Sequence, residues 1–148
     1  MMTYNKPTDG INIMRGIERV TVTAMASICM LGSTMAAELT GEEIRKLISG
    51  SSLYLELAAS NRGTQGLGII YYDPLGAALY KTPEGVIWHG KWKIVGNTAC
   101  INWKESPHNP CTKYDKRGDT IATVNVATGV TRAKVTKIVP GNAEKLTP

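Results

Sequence analysis

The side chains that could do chemistry crowd into one stretch of this 148-residue chain, Val86–Cys111, which reads VIWHGKWKIVGNTACINWKESPHNPC. It holds all three tryptophans, both histidines and two of the three cysteines. Cysteine with histidine is a zinc-ligating set, and an even pair of cysteines is equally the material of a disulfide. Cys100 and Cys111 stand eleven positions apart, without the close C-x-x-C spacing of a zinc ribbon. His108 lies in a proline-flanked loop, where a surface histidine needs no ligand. In an exported chain the cysteine pair reads as a disulfide closing a short loop, which contributes about 3 kcal/mol through loop-closure entropy. No metal and no cofactor is expected.

Tryptophan faces are stacking platforms for sugars, so the neighbours of each one decide between recognition and core. Trp88 shares a strand face with Val86, Trp92 with Ile94 and Trp103 with Ile101. Apolar company on the same face argues for packing, and each indole can bury on the order of 200 Å². Trp103 borders the loop Lys104–Pro110 and stays a candidate for binding.

The catalytic inventory is thin. The chain has no G-x-S-x-G or H-E-x-x-H motif. Its acidic residues Glu56, Asp73, Glu84, Glu105, Asp115 and Asp119 are scattered, and nothing in their spacing brings two together as sugar hydrolysis requires. The chain reads as a non-enzyme. A hydrolase would need two carboxylates about 5–10 Å apart in a cleft; a hydrolase inhibitor would not.

The basic residues are more suggestive. Arg132, Lys134 and Thr136 alternate with Ala133 and Val135, which puts them on one face of the last strand, and Lys113, Lys116 and Arg117 lie near the preceding turn. One reading is a solvated strand face whose lysines deter edge pairing. The other is a docking surface for an acidic polysaccharide or an envelope protein, with Arg132, Lys134, Lys113 and Arg117 as its residues.

The elements that must position these residues follow a leader. Arg15 and Arg19 precede the uncharged run Val20–Leu31, and Thr34-Met35-Ala36 offers small residues at a cleavage point, so residues 1–37 read as a signal peptide. Met14 opens a more ordinary signal, and residues 1–13 read as an upstream misassigned start. The run falls short of the about 20 apolar residues a membrane-spanning helix needs. Cys29 lacks the residues of a lipoprotein box around it. The address is periplasmic or secreted, which argues against nucleic acid as a partner. The chain carries a net charge of +5, nearly all of it outside the leader.

Residues 38–148 are enough for one domain. Thr40 with Glu43 forms a capping box, Leu39 can staple onto Ile44, and Gly50 suits the position just past the helix end. The rest is β. Short runs alternate with turns at Asp73–Gly76, Pro83–Gly85, Gly96-Asn97, Gly118-Asp119 and Thr128-Gly129, and Gly90 reads as a bulge or tight turn between two short strands. The expected fold is mainly β: an antiparallel meander of about eight strands curled into a small barrel, with one N-terminal helix and one disulfide.

Three blocks carry a likeness: LTGEEIRKLISG after the leader, Gly90-Lys91-Trp92-Lys93-Ile94 leading to Cys100-Ile101-Asn102-Trp103, and Pro110-Cys111 before a terminal hairpin. Together they resemble the small exported alphaproteobacterial proteins grouped as domain of unknown function 995. The resemblance spans essentially the whole mature chain. It implies an envelope location and a β-rich fold, with some members linked to surface polysaccharide production, and it brings no catalytic residues. The expected function is a non-enzymatic accessory protein that binds a glycan or an envelope protein. Alternatives are a lipocalin-like carrier of a small apolar ligand, or a periplasmic hydrolase or hydrolase inhibitor.

Overall fold

The structure, a computed structural model, describes residues 35–59, 65–107 and 109–147. The expected leader lies almost wholly outside the described residues, as does His108. The chain divides into a unit Met1–Gly32 and a unit Ser33–Pro148, and only the second is described below.

The second unit is a closed antiparallel barrel of eight strands: β2 (Ser51–Leu57), β3 (Gly66–Tyr72), β4 (Ala77–Lys81), β5 (Ile87–Val95), β6 (Thr98–Trp103), β7 (Cys111–Arg117), β8 (Thr120–Asn125) and β9 (Thr131–Pro140). Each pairs with the next, and β9 returns to pair with β2, so the sheet has no free rim along its circumference. A short strand β1 (Ala37–Glu38) and a helix α1 (Gly41–Ile48) precede the barrel.

The helix forms where the capping residues place it. Glu43 N–H donates to Thr40 Oγ1 at 3.3 Å, and Glu43 Oε2 accepts from Thr40 N–H at 2.8 Å. Those bonds to Thr40, backbone first, hold the Glu43 carboxyl below its ordinary range. Ile44 and Ile48, one turn apart, are both fully buried and plug one end of the barrel. Gly41 packs so close to the β5–β6 turn that a Cβ there would run into the Gly96 carbonyl.

An eight-stranded barrel is just wide enough for side chains to fill it. Leu53, Ile70, Tyr72, Ala78, Trp92, Ile101, Tyr114 and Val135 form one continuous cluster with the two helix isoleucines. Gly90 departs from the expectation: β5 runs through it unbroken. Its missing side chain makes room across the ladder for Trp103, whose ring would meet a Cβ at 2.7 Å.

The weakest seam is between β6 and β7, with only Ala99↔Thr112 and Cys100↔Cys111 in register. The disulfide joins that second pair, as the sequence predicts. One edge of β7 is fully taken by β8, so β1 covers the part of the other edge that β6 leaves bare, with Ala37↔Lys116 and Glu38↔Asp115.

The tail reads as polar in sequence, yet it docks on the outside of the barrel. Gly141 N–H donates to Gly50 O at 2.7 Å, and Ser52 Oγ donates to Gly141 O while accepting from Ala143 N–H. Asn142 closes on Leu146 from both sides of its amide, and Leu146 is buried.

Candidate functional site

The helix end of the barrel also carries the turns after β3, β5 and β7. The opposite end receives the connections β2–β3, β4–β5, β6–β7 and β8–β9, and no helix covers it among the described residues. Just inside this open end lie Tyr80, Trp88 and Trp103. Their ring centroids are 6.1 Å apart for Tyr80–Trp88, 5.9 Å for Tyr80–Trp103 and 6.2 Å for Trp88–Trp103. Two glycines seat them: Gly90 under Trp103, and Gly68 under Tyr80, where a Cβ would meet the tyrosine ring at 2.7 Å. Above the layer the rim is apolar, with Val86, Val126 and Val130 exposed.

The polar atoms of this layer are unspent. At the helix end Trp92 Nε1 donates to Asp73 O at 2.8 Å, and Tyr72 and Tyr114 share a hydrogen bond of 3.0 Å. Among the described residues Trp88 Nε1, Trp103 Nε1 and the Tyr80 hydroxyl have no protein partner. No buried side-chain nitrogen or oxygen there lacks one either, so these three polar edges meet water. Burial raises the Tyr80 pKa, Glu84 raises it further, and the Arg132 guanidinium pulls it back. Glu84 itself is held below the usual carboxylate range by its hydrogen bond with Thr82.

The candidate residues of the sequence separate in space. Trp103 is inward and only 8 % exposed, so its face belongs to the aromatic layer and its edge to the mouth. Arg132 reaches the mouth because it is the extra residue of a β-bulge: Thr123 pairs with Ala133 and Val124 with Thr131. Thr136 is the extra residue of a second bulge, between the pairs Leu55↔Val135 and Tyr54↔Lys137. The single face expected for Arg132, Lys134 and Thr136 is therefore interrupted twice. Lys134 sits on the barrel wall in register with Glu56 on one side and Ala122 on the other. Lys113 binds Glu38 at 2.8 Å, which raises its pKa and pins β1 to β7. Arg117 ends β7 at the helix end. The structure brings Trp103 and Arg132 to one end, and Lys134, Lys113 and Arg117 elsewhere.

Sequence reasoning missed Tyr80 as a partner of Trp88 and Trp103. The signal was present in the alternation Ala78, Tyr80 on β4, but only the register Tyr80↔Trp88 joins it to the tryptophans. Reasoning also missed that Glu105 clasps His89, taking its backbone N–H at 2.8 Å and its Nδ1 at 2.7 Å. That clasp holds the Glu105 carboxyl below its ordinary range. No group of three or more histidines, cysteines and carboxylates could hold a metal among the described residues. No helix there is long and apolar enough to cross a membrane.

Comparison with known proteins finds no matching family model, no matching curated protein and no matching solved structure. The likeness to the domain of unknown function 995 proteins rests on the quoted motifs alone.

Proposed function

We propose that this protein is a non-enzymatic accessory protein of the cell envelope, periplasmic or secreted, that binds an acidic glycan at the open end of its barrel. The observation that carries this reading is the unspent polar edge of the Tyr80–Trp88–Trp103 layer. Sugars are recognised by aromatic side chains together with hydrogen bonds to their hydroxyls, and the layer offers the half-exposed Tyr80 and Trp88 and three polar edges. The bulge that sends Arg132 toward Tyr80 adds a fixed positive charge suited to a carboxylate. The motif likeness to proteins linked with surface polysaccharide supports the same class of ligand.

A lipocalin-like carrier of a small apolar molecule fits the barrel fold and the valine rim. Its cargo would have to rest on the aromatic layer or push Tyr80 and Trp88 aside, because the interior below is packed with side chains.

Titrating the protein with acidic and neutral polysaccharides, followed by tryptophan fluorescence and calorimetry, separates these readings. Acidic glycan should shift the fluorescence, with the effect lost in Trp88→Ala and at least tenfold weaker in Arg132→Glu. Lys134→Glu should leave it unchanged. A shift only with fatty acids would favour the carrier, and retrieval of an envelope protein with no glycan response would replace the glycan as partner.

A further inference from the structure

A surface feature lies outside the barrel, on the face where β3, β4 and β5 meet the C-terminal tail. There a groove of about 390 Å³ is lined by Leu79 and Leu146 at its apolar base, with His89, Lys91 and Lys104 along it. That volume falls within the range of small-molecule sites. The groove is built by sequence-distant pieces. Leu146 is brought to it by the Asn142 amide, which donates to the Leu146 carbonyl at 2.7 Å and accepts from its N–H at 2.9 Å.

Both signs of charge are present around the groove. Asp73, its only carboxylate lining residue, is occupied: Oδ1 accepts from Leu75 N–H at 2.8 Å and Oδ2 from the Tyr71 hydroxyl at 3.3 Å. Glu105, nearby, is occupied by His89. Lys91 and Lys104 form no ion pair among the described residues, as is true of most lysines of the chain there, and both line the groove. His89 is fixed as well as present. An ionised carboxylate can only accept, so Nδ1 donates to Glu105, which leaves Nε2 an acceptor in the neutral ring. Lys104 N–H donates to His89 O at 2.8 Å, which ties the loop bearing one lysine to the strand bearing the other.

The geometry points to this outer groove as a binding site for a small organic oxyanion, a carboxylate or phosphate attached to an apolar or flat body. The body lies on Leu79 and Leu146, and the oxyanion is held by Lys91 and Lys104. The site is independent of the aromatic mouth: it uses the outer face of the sheet, and none of its residues belongs to the Tyr80–Trp88–Trp103 layer.

Heteronuclear NMR of the full chain titrated with galacturonate, glucose 6-phosphate and galactose tests it. The two anions should give saturable shifts at His89 and at the Lys91 and Lys104 side chains, and galactose none. Shifts with one anion alone assign the carboxylate or the phosphate as the ligand group. The double variant Lys91→Glu/Lys104→Glu, folded by its amide spectrum, should lose binding at least tenfold, while Trp88→Ala should keep it. No saturable shift with either anion in the millimolar range would overturn the site, as would shifts surviving in the charge-reversed variant or equal shifts with galactose. Loss of glycan binding at the mouth with these shifts intact would sink the proposed function and leave the groove standing.

Discussion

At the helix end of the barrel, Trp92, Tyr72 and Tyr114 are buried, and each polar side-chain atom among them has a partner inside the protein. At the open end, Tyr80 and Trp88 are half-buried, Trp103 is buried to its edge, and their polar atoms meet water. The residue types are the same, and one strand serves both ends, with Trp88 and Trp92 four residues apart on the inner face of β5. Trp92 and Trp103 are buried alike, so burial alone does not decide whether an indole N–H is satisfied within the protein. A buried donor without a partner costs on the order of 1–3 kcal/mol, so the core must supply partners. A mouth can leave them for a ligand.

The comparison breaks most directly at the two tryptophans of β5. Trp92→Ala should cost about 3–5 kcal/mol, as large-to-small changes in filled cores do, and it also removes one of the two hydrogen bonds to the Asp73 carbonyl, which keeps that from Gly76 N–H. Trp88→Ala should cost clearly less, because its site is half open and water can fill the gap, yet it should abolish glycan binding. Urea unfolding of both variants checks this. Equal losses of stability would mean that the open end is core like the other.

The disulfide comes next, because it holds the barrel seam with the fewest register pairs. With two register pairs between β6 and β7, the Cys100→Ser/Cys111→Ser variant should lose about 3 kcal/mol. It should loosen the β6–β7 seam before the β2–β3 pairing. Hydrogen exchange should show faster exchange at Ile101 than at Leu53, and uniform acceleration would deny the seam a local role.

Much of this was legible in the sequence, and the reasons are local. A capping box, an apolar pair one helical turn apart and a two-residue alternation are written in neighbouring positions, and so the helix and most strands were readable. The disulfide followed from having two cysteines in a chain read as exported. What failed depends on partners far along the chain. Gly90 looks like a turn until Trp103 is found lying across it. Arg132 and Thr136 look like companions of Lys134 until bulges, set by the pairing with β8 and β2, change their places. A lone Leu146 in a polar tail carries no period, and its burial depends on an outer face that only the closed barrel creates. Tyr80, Trp88 and Trp103 could each be assigned inward from alternation, but which end of the barrel they occupy is a matter of register.

Alkaline titration sharpens the contrast between the two ends by a smaller effect. Burial pushes the Tyr114 pKa up to about 12, with its hydrogen bond to Tyr72 pulling the other way, and burial raises Tyr72 still more clearly. A tyrosine whose pKa is raised on folding contributes stability in full below its unfolded value near 10, and loses it as pH climbs through the folded value. Tyr114 alone should therefore withdraw roughly 2–3 kcal/mol between pH 10 and about 12, at about 1.4 kcal/mol per unit. Tyr80 is raised too, but its hydroxyl is at water and Arg132 favours its phenolate. Phenolate absorbance followed together with circular dichroism should show Tyr80 ionising while the barrel is intact, and Tyr72 and Tyr114 ionising only as it unfolds. In a Tyr114→Phe variant the alkaline loss of stability should shrink, although Tyr72 then lacks its partner at neutral pH. If Tyr80 instead ionised with the unfolding step, its hydroxyl would be as enclosed as those at the helix end, and the open end would offer a sugar only the two indole N–H groups.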